Sequence, residues 1–278
     1  MMFPFQFSVR IGAAICLAAL TLGACSRPTD KAPEAAADKT QAPASNAGYL
    51  TPPQLSLAVR RPDGAVHLTG AAVAGARVHL ASPEGAAFEA TAAPDGAWAL
   101  DLPPAVTPRM FSVSAEAGDE TVRAEGALLV LPLPASPALL VRAGFAALVL
   151  GPTPAPKAAG IVALDYDGGG GAAVAGFASP GAQVRVSLDG QPAGLDQANA
   201  KGRFAVMAPN RRLAAGRRRI EIEAQGAPPI GVEAEVSPPA PLSAPYRAVR
   251  QAGAWRVDWA PPGGGVQTTL VFDGAAGP

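Results

Sequence analysis

The sequence predicts an all-β protein: two β-sandwiches in tandem and a small C-terminal β-meander, preceded by a disordered tether. Three observations predict it. Glycine (31) and proline (30) make up about a fifth of the 278 residues, which is rich in turn formers but below the ~25–30% that marks disorder throughout. Short runs of alternating apolar residues recur every 8 to 12 residues between turn signals, with no helical period between them. A shift of 106 residues also brings the chain into register with itself.

That repeat sets the elements. Gly70, Gly75, Ala76, Val78 and Leu80 fall on Gly176, Gly181, Ala182, Val184 and Val186, a shared G-x4-G-A-x-V-x-[LV]. Without a gap, Asp95-Gly96-Ala97-Trp98-Ala99-Leu100 then falls on Lys201-Gly202-Arg203-Phe204-Ala205-Val206. Gly75 and Gly181 suit turns that need positive φ, and Gly96 and Gly202 occupy a hairpin slot. Period two puts Val78 and Leu80 inward with Val184 and Val186, and turns His79 and Arg185 outward. Trp98 and Phe204 are the predicted core anchors. Strands are expected near 55–59, 65–70, 76–81, 87–91, 97–102, 110–116 and 121–130, and again near 161–165, 172–177, 182–188, 193–198, 203–208, 217–224 and 230–236. The repeat pattern is similar to the bacterial Ig-like and carboxypeptidase-regulatory-like modules of surface and envelope proteins. That resemblance implies Ig-like sandwiches over 51–134 and 158–238, serving as spacers, stalks or binding domains, and it selects no single function.

Two segments lie outside the repeat. The connector 135–157 holds an apolar run, Leu139 to Leu150, broken by Arg142 and bracketed by prolines. It is too short to span a bilayer, which takes ~20 residues. Gly144 near its middle permits a β-hairpin, with a short helix as the alternative. The C-terminal segment 239–278 carries three further runs, around Tyr246, Trp255 to Trp259 and Val266 to Phe272. Trp255, Val257 and Trp259 share one face. Buried, they are a core; exposed, Trp255 and Trp259 with Tyr246 would be a contact surface for sugar rings.

The first residues carry the one covalent chemistry the sequence points to. Arg10 precedes an apolar run from Ile11 to Leu22, short enough for a signal segment over 1–24. It ends in Leu22-Gly23-Ala24-Cys25, which resembles the lipobox of bacterial lipoproteins. That resemblance implies diacylglyceryl transfer to the Cys25 thiol, cleavage before it, acylation of the new amine, and a membrane partner through the lipid anchor. Ser26 in place of Asp implies the outer membrane, on its periplasmic or surface face. Residues 25–50 have no apolar periodicity and are expected to form the disordered tether, reaching roughly 25–30 Å.

Other chemistry is sparse. Charge balances at 22 against 22, so no field for nucleic acid is implied. The cysteines, Cys16 and Cys25, both precede the folded part, which excludes disulfides and thiolate metal sites there. Asp165-Tyr-Asp167 followed by four glycines suggests a calcium loop, yet the fifth and twelfth positions of that register are Gly169 and Gly176. No G-x-S-x-G, H-E-x-x-H or C-x-x-C occurs. His67 and His79, the only histidines, fall in predicted strands. No cofactor, metal or catalytic residue is expected. Arg211, Arg212, Arg217, Arg218 and Arg219 form one basic cluster, read as a solvated hairpin or as a contact for anionic polymer or headgroups. The expected function is a non-catalytic envelope lipoprotein acting as a structural or protein-interaction module. A glycan binder is the alternative and an unrecognised hydrolase a distant one.

Overall fold

A computed structural model describes residues 50–132, 137–209 and 212–274. Cys25, the signal segment and most of the tether lie outside the described residues, as does Arg211. Nineteen strands form, and no helix does among the described residues. Module 1 contains β1 (Gln54–Arg60), β2 (Val66–Ala71), β3 (Arg77–Ala81), β4 (Ala87–Thr91), β5 (Ala97–Leu102), β6 (Arg109–Ala117) and β7 (Glu120–Val130). A short hairpin, β8 (Leu139–Val141) and β9 (Leu148–Val149), fills the connector. Module 2 repeats the plan with β10 (Gly160–Asp167), β11 (Ala172–Phe177), β12 (Gln183–Leu188), β13 (Gln191–Gln197), β14 (Arg203–Ala208), β15 (Gly216–Ala224) and β16 (Ile230–Val236). The C-terminal strands are β17 (Tyr246–Gln251), β18 (Ala254–Trp259) and β19 (Gln267–Phe272).

Each module is an Ig-like sandwich of three strands against four. The order is β1-β2-β5 against β4-β3-β6-β7 in module 1, and β10, β11 and β14 against β13-β12-β15-β16 in module 2. All pairings are antiparallel. Even the irregularities repeat: β1 is bulged between Leu55 and Leu57, and β10 between Ile161 and Ala163, again 106 residues on. Val78, Leu80, Val184 and Val186 are fully buried, and Trp98 and Phe204 fill the two cores.

The repeat motif has a steric logic. Gly70 lies opposite Trp98 across the β2–β5 ladder, and Gly176 opposite Phe204. A Cβ on Gly70 would stand 2.4 Å from the Trp98 ring, and one on Gly176 2.5 Å from the Phe204 ring. Each aromatic therefore covers a bare glycine backbone, a pairing that seals the gap the missing side chain would leave.

Both outer segments attach to the modules as strands. The β8–β9 hairpin extends the four-stranded sheet of module 1 beyond β7, making six strands. The meander extends the other module: β19 pairs with β10, which gives the order β14-β11-β10-β19-β18-β17. The two six-stranded sheets then pack face to face. Leu129, Leu139 and Val141 from one meet Ala163, Val257 and Trp259 from the other in a third core between the two sandwich cores. The molecule beyond residue 50 is thus a stack of four sheets with three apolar layers.

Candidate functional site at the seam between the modules

The seam is apolar because its strands are buried on both faces. In β8, Leu140 faces the core of module 1, while Leu139 and Val141 face the seam. In β10, Leu164 and Tyr166 face the core of module 2, while Ala163 and Asp165 face the seam. A strand covered on both sides loses the polar half of its alternation and reads as a continuous apolar run. Alanines at 163, 173 and 175 on the module 2 side keep the seam surface low.

Among the described residues one acid stands in this layer. Asp165 is 2% exposed; its Oδ2 accepts from the Ala147 backbone N–H of the connector at 2.8 Å, and its Oδ1 from the Thr269 hydroxyl at 2.5 Å. Thr269 Oγ1 in turn accepts from the Trp259 indole N–H at 3.2 Å. Burial pushes the Asp165 carboxyl up to about 6, against the pull of those two donors and the charge of Arg142. One network therefore joins the connector, β10 and the meander, and its Ala147–Asp165 bond crosses the seam.

The residues picked out from the sequence separate here. Trp259 is 2% exposed and buried in the third core, so the paired indoles form no open platform. Trp255 is half-buried on the same face, with the Arg250 guanidinium 5.6 Å from its ring centre. Tyr246 is half-buried and donates its O–H to the Pro108 carbonyl at 3.1 Å, tying the meander to module 1. In the basic cluster, Arg217 meets Glu233 at 3.6 Å, Arg218 meets Asp189 at 3.2 Å and Arg219 meets Glu221 at 2.8 Å. Arg212 is exposed beside Gly170. Arg217 and Arg219 thus belong to a paired charge ladder on the outer face of module 2, while Arg218, on the same side of β15 as Ile220, pairs with Asp189 in the turn after β12.

The glycine-rich loop is built as a turn. Asp165 points into the seam, while Asp167 Oδ1 accepts from the backbone of Gly169 at 2.8 Å and Gly170 at 3.0 Å. The histidines lie on different sheets of module 1. His67 Nδ1 contacts Asp101 at 2.6 Å, and His79 lies between Glu89 at 3.0 Å and Glu116 at 3.3 Å. Among the described residues no group of three or more metal-ligating side chains converges.

A cleft of about 870 Å³ opens at the margin of the seam. Its walls are the 167–169 loop, prolines 238, 239, 241, 261 and 262, and the turn through Gly263 to Gly265. Gln267 closes its floor, accepting from Gly144 N–H at 3.1 Å and donating to the Arg142 carbonyl at 3.4 Å. Phe145 beyond it is 58% exposed under the Arg142 guanidinium. Among the lining residues Asp167 supplies the one carboxylate. Such a lining can hold a chain or a side chain. No nucleophile stands there beside a base.

No family model matches this sequence, and no curated protein does. Similarity to solved structures is distant. The central fibronectin-III array of RIM-binding protein is 13% identical, with a TM-score of 0.24 over 77% of this chain and 80% of that one. The BSP domain of a biofilm-associated protein is 15% identical, with a TM-score of 0.21 over 66% of this chain and 29% of that one. The Yersinia pseudotuberculosis adhesin InvE is 12% identical, with a TM-score of 0.22 over 78% and 70%. Likeness at this level bears on no function; the strand pairings above define the fold.

Proposed function

We propose that the chain is a bacterial envelope lipoprotein, held to the outer membrane through lipid on Cys25, whose two modules form one stiff, non-catalytic arm for structural or protein-interaction work. The observation that carries the arm is the third core. Separate beads on a string would expose Leu139, Val141 and Val257 to water, whereas here each is fully buried between the modules. Burying an apolar side chain of this size stabilises by ~1.5–3 kcal/mol, so a seam of this extent resists opening. What supports a non-catalytic role is the use of the buried acids. Asp165 holds Ala147 and Thr269, and Asp258 is held by Arg256 and Thr268, so both are committed to joining strands. The glycan alternative would rest on Trp255 and Tyr246, both engaged within the fold.

The lipid anchor is tested by fractionation. Wild-type protein should sediment with membranes, and Cys25→Ser should move to the soluble fraction with an unchanged β-type circular dichroism spectrum. A Cys25→Ser protein that still sediments with membranes would sink the anchor.

A further inference from the structure

The two sandwiches close their ends differently. In module 2 the mouth between the sheets is filled by Tyr166, whose O–H donates to the Ser237 carbonyl at 3.1 Å, and by Arg256, which donates to the same oxygen at 3.1 Å. Arg256 brings its own counter-charge: Nε meets Asp258 Oδ1 at 2.9 Å, and Thr268 completes the carboxylate at 2.6 Å.

The repeat shift places Arg60 on Tyr166 and Leu131 on Ser237. The equivalent bond survives in module 1, with Arg60 Nη2 donating to the Leu131 carbonyl at 2.5 Å. From the facing sheet comes Arg109, whose Nη2 donates to the Pro103 carbonyl at 2.8 Å and whose guanidinium lies 5.6 Å from the Phe111 ring centre. Both side chains point between the sheets. Arg60 pairs across its ladder with Val66 and Arg109 with Val130, both core residues. Both are half-buried, and the Nε of each is buried without a partner.

Here the counter-charge is missing. Among the described residues neither Arg60 nor Arg109 has a carboxylate at ion-pair distance; burial disfavours the charged form of both, and the positive charge of Arg60 adds to this at Arg109. Acids of the neighbouring loops are engaged elsewhere. Asp63 caps Ala65 N–H, Asp101 is held by Arg61 and His67 on the outer face, and Glu84 takes the Ser82 hydroxyl. Two partly desolvated cations held together without an anion are costly, and an arriving oxyanion would relieve that cost. Arg60 Nη1 also donates to the Gly64 carbonyl at 3.2 Å, and the remaining Nη hydrogens of the two guanidinium groups fit phosphate geometry.

We propose that the mouth of module 1 is an oxyanion site that takes a phosphate monoester between Arg60 and Arg109. A phosphate monoester carries roughly −1.5 to −2 at neutral pH, which matches the two guanidinium charges. Carboxylate ligands would satisfy one of them.

Calorimetric titration of the full chain with inorganic phosphate and with glycerol phosphate, against sodium chloride at equal ionic strength, tests this. Expected is saturable binding of both phosphates, with acetate weaker. Arg60→Gln and Arg109→Gln should each weaken binding at least about tenfold, and Arg61→Gln, an outer-face control, should leave it unchanged. If a glutamine variant fails to fold, Arg60→Lys decides: it keeps the charge and loses the fork, so weakened binding supports the site and unchanged binding overturns it. Heat equal to that of chloride, binding retained in the double glutamine variant, or acetate as tight as phosphate would each overturn the proposal.

Discussion

Gly70 and Gly176 show how a single missing side chain can carry a repeat. Their ring contacts are under 3 Å for any added Cβ, and backbone oxygens of Gln54 and Gly160 would be closer still, at 2.0 and 2.1 Å. Gly75 and Gly181 differ: their φ values are +74° and +78°, and a Cβ there would meet nothing. The two glycines of the motif are therefore needed for different reasons, space in one case and backbone conformation in the other. Gly70→Ala or Gly176→Ala should cost about 2 kcal/mol or more through overpacking, and Gly75→Ala about 1 kcal/mol through left-handed strain, as read by urea unfolding. The inward faces of Trp98 and Phe204 were legible from alternation. Their seats on Gly70 and Gly176 were not, because cross-strand register is fixed by pairing rather than by sequence spacing.

At the scale of elements, the connector and the meander behave alike, each adding strands to the edge of a sandwich sheet. An added strand satisfies the free N–H and C=O groups of that edge and extends its apolar face. Gly144 takes φ +71° in the turn between β8 and β9, so the hairpin reading holds over the helical one. The shared face of Trp255, Val257 and Trp259 was also legible from period two. What covers that face was not, and the cover grades along the strand: Trp259 is buried at the seam, and Trp255 is half-buried under Arg250. Trp259→Ala should cost ~3–5 kcal/mol as a core truncation that also leaves Thr269 short of a donor. Trp255→Ala should cost distinctly less. Thermal or urea unfolding of the pair checks the order, and equal losses would contradict this account of the seam.

Across the whole molecule the seam couples the modules, and Asp165 makes the coupling depend on pH. Burial lifts its carboxyl from an ordinary 3.8 to about 6, so the folded protein holds this proton more tightly than the unfolded chain. The sign follows from linkage: ionising Asp165 costs stability that is present below about 3.8 and is lost as pH rises through about 6. Asp258 works in the opposite sense. Burial pushes its carboxyl up, yet hydrogen bonds from Arg256, Thr268 and Arg247 more than reverse this and hold it below the usual range, so its contribution is lost on acidification. Comparing wild type with Asp165→Asn separates the two. Between pH 4.5 and 7.5 the stability of wild type relative to Asp165→Asn should fall by about 2 kcal/mol, measured by urea unfolding at both pH values. A flat difference would remove Asp165 from the coupling.

Sequence by itself determined the fold class, the 106-residue repeat, the inward residues of most strands and the turns between them, because each is recorded in local spacing: period two for strands, glycine for turns. It also supplied the proposed anchor at Cys25, read from a short linear motif. Only the tertiary structure decided that the modules share a third core, that Trp259 is interior, that Asp165 turns into the seam and that Arg60 and Arg109 converge without a counter-charge. The physical reason is common to all four. A strand's alternation tells which residues lie on a face, and what lies against that face depends on contacts with other elements that local spacing does not record.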